Sequence, residues 1–136
     1  MPKKRILAVD DDASMREFYE KTLEMLGFTP QIASGGKSAK QSIALIRPDL
    51  ILMDIMMPEQ DGISLTRELR HDAKTSDIPI IMVSGLADAG TLQDALLFGA
   101  VGYIVKPVDA DALKAKIEQT LSALENRKKN SGASPK

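Results

Sequence analysis

The sequence contains no cysteine and no tryptophan, and its 136 residues include a single histidine. Without cysteine the chain has no disulfide framework and no thiolate metal site, so it is compatible with a reducing compartment. The formal net charge of −1 gives no overall attraction to nucleic acid or to an anionic membrane. No stretch is apolar and long enough for a signal peptide or a membrane span. These absences predict a soluble cytoplasmic protein with no direct nucleic-acid or membrane partner.

Length and composition indicate one globular domain with a polar end. Hydrophobic residues make up 43% of the chain and charged residues 27%, as in ordinary globular proteins. From residue 127 the chain is polar and carries glycine and proline, so we expect a domain over 1–126 and a flexible tail over 127–136. We interpret the basic residues Arg127, Lys128 and Lys129 as a solvated helix end rather than as a nucleic-acid patch.

Four short apolar runs each lead into a polar residue. They are 6–9 before Asp10, 50–53 before Asp54, 80–83 before Ser84, and 101–105 before Lys106. Unbroken apolar runs of this length are typical of strands covered on both faces, as in a parallel sheet. A weaker fifth strand, 29–33, contains Pro30, which cannot donate to a ladder, so we expect that strand at an edge.

Helical patterns fill the gaps between these strands. The first predicted helix begins at Ser14, which forms a capping box with Glu17, and it ends at Gly27. The second and third are predicted over 38–47 and 62–70. The fourth is capped by Asp88 and directs Leu92, Ala95 and Leu96 inward, and the last begins near Asp109. Strands that alternate with helices predict a doubly wound α/β fold with helices on both faces of the sheet.

The polar residues at the four strand ends should lie together, because ligands of an open parallel sheet bind beyond the carboxyl ends of its strands. If the first and third strands are neighbours, Asp10, Asp11 and Asp54 share one small volume and need a cation among them. Carboxylate oxygens without histidine or cysteine suit Mg²⁺. Lys106 adds an ammonium and Ser84 a hydroxyl, so the pocket is suited to receiving a phosphoryl group.

Four motifs together resemble the receiver domains of two-component response regulators. They are "VDDD" after the first strand, "LILMDIMMPEQDG" around Asp54, "IMVSG" at Ser84 and "GAVGYIVKP" at Lys106, and the resemblance covers residues 4–126. It implies a flavodoxin-like sheet with five strands in the order 2-1-3-4-5. It also implies a stand-alone, chemotaxis-type receiver, since no output domain follows the last helix, unless the chain is a piece of a longer protein.

The resemblance assigns roles residue by residue. Asp54 is the expected phosphoacceptor, with Asp10, Asp11 and the main-chain carbonyl of Met56 as further Mg²⁺ ligands. Lys106 is expected to hold a phosphoryl oxygen, and its bond to Pro107 is expected to be cis. Ser84 and Tyr103 are the expected switch pair. The hydroxyl of Ser84 is expected to move toward the phosphoryl group, and the aromatic ring of Tyr103 to move inward behind it.

The partners implied are a sensor histidine kinase or a histidine phosphotransfer protein upstream and an unidentified protein target downstream. The face formed by the fourth helix, the last strand and the last helix is expected to change on phosphorylation, with a phosphorylation-dependent homodimer as one outcome. The chain would catalyse only its own phosphorylation and dephosphorylation. His71, in a polar loop, is interpreted as a surface residue rather than a phosphohistidine.

Two other functions fit parts of the sequence. "DDDAS" also fits the opening of haloacid-dehalogenase-like phosphatases, in which Asp10 would be the nucleophile and Asp12 the acid/base, leaving Asp54 without a role. A receiver that binds partners without phosphorylation is the third interpretation, and the intact acidic residues argue against it.

Met56 and Leu86, two residues beyond Asp54 and Ser84, are apolar where a polar group could orient a hydrolytic water, which predicts a long-lived phosphoryl group.

Overall fold

The computed structural model describes residues 2–133 as one α/β unit with alternating strands and helices. The elements in chain order are β1 (Arg5–Val9), α1 (Ala13–Met25), β2 (Thr29–Ala33), α2 (Gly36–Leu45), β3 (Leu50–Met53), α3 (Gly62–His71), β4 (Ile80–Ser84), α4 (Ala89–Leu97), β5 (Gly102–Val105) and α5 (Ala110–Ala133). The predicted alternation of strands and helices is confirmed.

The five strands form a parallel sheet in the order β2-β1-β3-β4-β5, as the resemblance implies. Buried side chains of α1 and α5 pack on one face of the sheet, and those of α2, α3 and α4 pack on the other. The three central strands are therefore covered on both sides, which explains why their sequences are apolar without interruption.

The edge position of β2 follows from Pro30, as expected. Thr29 donates its N–H to the carbonyl of Lys4, so the alternate residue Pro30 directs its backbone away from β1. An edge strand can tolerate a residue without an N–H on its open side. The missing donor also makes that open side a poorer template for pairing with another chain.

Three expectations about the helices need correction. The N-cap of α1 is Asp12, whose side chain accepts from the N–H of Ser14, so Ser14 lies inside the helix and is not its cap. Helix α2 begins and ends two residues earlier than predicted, at Gly36 and Leu45, because Gly35 occupies its N-cap position. Leu96, which is expected to point inward, is 47% exposed, and Ala95 is the one residue of α4 that is fully buried.

Helix α5 extends into the segment for which a flexible tail is expected. The helix continues through residues 127–133. Residues 134–136 of the predicted tail lie outside the described residues. Within residues 2–133, none of the helices has the length and apolar character needed to cross a membrane.

Arg70 joins three segments at the amino ends of the strands, opposite the carboxyl ends that carry the polar residues. Its Nε and Nη2 donate to the carbonyl of Gly99 at 3.0 and 2.8 Å, and its Nη1 donates to the carbonyls of Ser76 and Ile78 at 3.2 and 2.7 Å. Gly99 has a φ of +122°, and a Cβ there would lie 2.6 Å from Cγ of Arg70. The arginine thus joins α3 to the loops before β4 and β5.

We predict that Arg70→Ala lowers the free energy of unfolding by about 2–4 kcal/mol, because it leaves part-buried carbonyls without their donor. The matched control is Arg67→Ala on the same helix, where the guanidinium lies 5.2 Å from the ring centroid of Phe98. An exposed cation–π contact is worth about 0.5–1 kcal/mol, so the control should lose less. Urea denaturation measures both, and equal losses would contradict the role given to Arg70.

Candidate functional site

The carboxyl ends of β1 and β3 place Asp10 and Asp54 side by side. Val9 and Met53, the last residues of these strands, are paired in register. The N–H of Asp54 donates to the carbonyl of Val9 at 2.9 Å, so the ladder continues into the first residue of the site. The sheet itself therefore brings the two carboxylates together, as the strand pattern predicts.

Asp10, Asp11 and Asp54 each offer a carboxylate oxygen, and these oxygens lie within 4.8 Å of one another. Asp10 is fully buried, Asp54 is 6% exposed, and Asp11 is open to solvent. The N–H of Asp12 donates to Oδ1 of Asp10 at 2.9 Å and fixes that carboxylate. The group is thus rigid on its inner side and accessible at Asp11.

Lys106 brings a positive charge from the end of β5. Its Nζ lies 2.9 Å from Oδ2 of Asp10 and 3.4 Å from Oδ1 of Asp54. Burial lowers the pKa of Lys106, but the hydrogen bond and charge of Asp10 outweigh it and raise that pKa overall. The ammonium is therefore charged, and the Lys106–Pro107 peptide bond that follows is cis, as expected.

Burial and the neighbouring negative charge both act on the pKa of Asp54. Burial, followed by the charge of Asp10, raises that pKa to about 6, although Lys106 acts in the opposite direction. Tyr19, on the core side of α1, is also buried, and its pKa is raised by burial and then by the charges of Asp10 and Asp54. The pocket is therefore electrostatically unfavourable for anions as it stands.

The donor set fits a hard cation. Three carboxylates without histidine or cysteine are the ligands that Mg²⁺ prefers, and exposed Asp11 leaves room for the waters that this ion retains. Across the described chain, no other cluster of three or more histidine, cysteine, aspartate or glutamate side chains comes close enough to share an ion. These residues could hold a metal ion, and positive charge is what their electrostatics require.

The β3–α3 loop, residues 54–61, begins at the pocket. The loop ends at Gly62, whose backbone packs so closely on Asp54 that a Cβ there would lie 2.0 Å from the carbonyl oxygen of Asp54. The N–H of Gly62 donates to the carbonyl of Ile55 at 2.8 Å. Met57 is buried in the core, whereas the side chain of Met56 is 64% exposed. The glycine is therefore required for the loop to turn this tightly against the site.

Ser84 and Tyr103 meet at the backbone of one residue. Ser84 is buried at the end of β4, and its Oγ accepts from the N–H of Leu86 at 3.2 Å. The hydroxyl of Tyr103 donates to the carbonyl of Leu86 at 2.6 Å, and the partly buried ring packs against the core. The sequence indicates for Leu86 only a position beside a water path and gives no sign of this junction, because backbone donors and acceptors leave no signal in a sequence.

The side chains of His71 and Asp12 make local contacts within or at the start of a helix. His71 is exposed at the end of α3, and its Nδ1 contacts the carbonyl of Arg67. Asp12, the acid/base of the phosphatase alternative, caps α1 instead. A structural role thus accounts for Asp12.

The profile of the response regulator receiver domain matches residues 6–118 of the chain. A "Probable transcriptional regulator ycf27" of Cyanophora paradoxa is 41% identical over 124 residues, which cover 91% of this chain and 51% of that protein. The chain thus spans about half the length of the curated relatives it matches. These matches give no support to the phosphatase alternative.

Solved structures agree with the sequence comparison. A CheY-like response regulator receiver domain protein from Methanospirillum hungatei has a TM-score of 0.85 and 31% identity, covering 93% of this chain and 99% of that one. The chemotaxis protein CheY4 of Vibrio cholerae has a TM-score of 0.83 and 27% identity, covering 87% and 98%. The fold is that of signalling receivers and not of a catalytic family. The chain belongs to the receiver domains of two-component response regulators.

Proposed function

We propose that the chain is a phosphorylation-dependent switch in which Asp54 accepts a phosphoryl group from a phosphohistidine. The observation that carries this proposal is the position of Asp54, nearly buried but sharing its pocket with Asp10, Asp11 and Lys106. A carboxylate oxygen of Asp54 attacks phosphorus, and an O–P bond forms as the P–N bond breaks. The released imidazole nitrogen takes a proton from solvent.

The residues around Asp54 have distinct roles in this proposal. Asp10, Asp11 and Asp54, with the carbonyl of Met56, hold Mg²⁺, which neutralises charge on the incoming phosphoryl group when bound. Lys106, which contacts Asp10 and Asp54 in the structure, is free to pair with a phosphoryl oxygen once the carboxylate contacts are shared with the cation.

The switch acts through Leu86. A new phosphoryl oxygen accepts a hydrogen bond from the hydroxyl of Ser84 and draws it toward the pocket, and Ser84 Oγ in turn accepts from the N–H of Leu86, whose carbonyl is held by Tyr103. Movement of the β4–α4 loop then alters the face of α4, β5 and α5, where Leu97, Val101 and Val105 are exposed. A downstream protein, or a second copy of the chain, binds this face.

The proposed phosphodonor is a sensor histidine kinase or a histidine phosphotransfer protein, and the proposed compartment is the cytoplasm. Direct binding to nucleic acid or to a membrane is not part of the proposal, because the net charge is only −1. The relative named a transcriptional regulator extends over about twice the matched length, so its name does not decide the output of this chain.

We predict that a small phosphodonor such as an acyl phosphate, supplied with Mg²⁺, labels Asp54. Asp54→Asn should abolish the label, and Asp11→Asn should weaken both Mg²⁺ binding and labelling because it removes one charged ligand. Peptide mapping by mass spectrometry of a trapped adduct locates the modified residue. A label on Asp10 that survives in Asp54→Asn would contradict the proposal.

We predict that the metal-free protein is less stable than Asp54→Asn above pH 6 by about 3 kcal/mol. The pKa of Asp54 is raised to about 6, so its stabilising contribution is complete below the ordinary value near 4 and is lost as the pH rises to 6. Urea denaturation in chelator from pH 4 to pH 7 measures the difference between the two proteins. The exposed Asp94→Asn is the control, and an equal gain in that variant would refute the electrostatic explanation.

We predict a slow loss of the phosphoryl group because Met56 and Leu86 present no polar side chain that could orient a water. A Met56→Asn, Leu86→Glu double variant should lose the group at least about tenfold faster, since positioned general bases contribute about 10²–10⁴ in rate. Met25→Asn, at an exposed methionine on α1, is the control. Equal dephosphorylation rates in the parent and the double variant would show that the apolar pair does not set the lifetime.

A further inference from the structure

A polar contact ties the β3–α3 loop to both neighbouring helices. Gln60, near the end of this loop, donates through Nε2 to Oε1 of Glu68 on α3 at 3.0 Å. The second oxygen of Glu68, Oε2, accepts from Nζ of Lys40 on α2 at 2.8 Å. We call Lys40, Gln60 and Glu68 the brace. The brace connects the β3–α3 loop, which begins at Asp54, to both α2 and α3.

The position of the Gln60 side chain depends on Gly36. A Cβ added at Gly36 would lie 2.6 Å from Oε1 of Gln60, closer than such contacts allow. The clash is with the end of a flexible side chain, so a methyl group at position 36 would displace the amide of Gln60 without disturbing backbone packing. The neighbouring Gly35 has nothing within 4 Å of the same added atom.

The carboxylate of Glu68 is kept ionised by its partners. The hydrogen bond from Lys40, and then the one from Gln60, lower the pKa of Glu68. Both of its oxygens are therefore occupied by donors from two different segments. One carboxylate thus fixes the distance between α2, α3 and the loop.

We propose that Gln60 is a positioning residue for the divalent cation, acting through the backbone of the β3–α3 loop. This rests on the proposed function, in which the carbonyl of Met56 in that loop is a ligand. Mg²⁺ demands near-ideal octahedral geometry, so its affinity depends on how firmly each ligand is held. Residues that support ligands from outside commonly change metal affinity by about 10–100-fold.

The expected effect is smaller than that range because the loop has other anchors. Gly62 packs on the carbonyl of Asp54, and Met57 is buried in the core. The exposed side chain of Met56 adds little support between them. Loss of the Gln60 contact removes one solvent-exposed hydrogen bond, which corresponds to about a threefold to tenfold change in affinity.

The test is calorimetric titration of Mg²⁺ into the full chain and its variants. Gly36→Ala and Gln60→Ala should each weaken binding about threefold to tenfold, whereas Gly35→Ala should leave it unchanged. Adding Gly36→Ala to Gln60→Ala should have no further effect, because the methyl group then has no amide to displace. Additive losses in the double variant would overturn the proposal.

Amide hydrogen exchange of the metal-free protein provides a second measurement. Residues 55–60 should exchange faster in Gly36→Ala than in Gly35→Ala, with the rest of the chain unchanged. If the parent binds Mg²⁺, Asp11→Asn does not, and Gly36→Ala matches the parent, the brace is refuted and the proposed function stands. If the parent does not bind Mg²⁺, the proposed function and the brace fail together.

Discussion

The repulsion among carboxylates at the ends of β1 and β3 is the constraint on which the rest of the site depends. Parallel pairing in register forces Asp10 and Asp54 into one buried volume, and Asp11 follows directly. Lys106 supplies one positive charge against these three carboxylates, and burial, followed by the charge of Asp10, still raises the pKa of Asp54. The pocket retains two uncompensated negative charges, which a divalent cation matches. Its chemistry is therefore a consequence of the sheet and not of any flexible arrangement of side chains.

The same strand ends connect the pocket to α4 through a short series of contacts. The N–H of Lys106 donates to the carbonyl of Ser84 at 2.8 Å, and the hydroxyl of Ser84 accepts from Leu86. Leu86 is in turn held by Tyr103. Helix α4, which follows, buries only Ala95 completely, so little apolar contact resists its displacement. Physical coupling requires an element with two accessible arrangements, and in the proposed switch that element is α4.

How far the sequence predicts this structure depends on where the determining contacts are made. The central strands and the meeting of their polar ends follow from local composition, because buried parallel strands must be apolar and must end at a common edge. Helix ends are less certain, since Asp12 and Ser14 are both good caps and the end of β1 decides between them. Leu96 has the right spacing for the core, but α4 covers too little of the sheet to bury it. The bonds of Arg70 and the junction at Leu86 could not be predicted, because one partner in each bond is a backbone group that any residue would supply.

The carboxyl ends and the amino ends of the strands consequently carry opposite kinds of interaction. At the carboxyl ends, charges of one sign are crowded and incompletely compensated, which costs stability in the absence of a cation. At the amino ends, Arg70 satisfies three carbonyls from the loops before β4 and β5, and Arg47 pairs with Asp77. A chain with an unfavourable pocket at one edge needs such compensation elsewhere, because the net stability of a domain is only about 5–15 kcal/mol. Placing it at the amino ends of the strands keeps this stabilisation away from the pocket and from the β4–α4 loop.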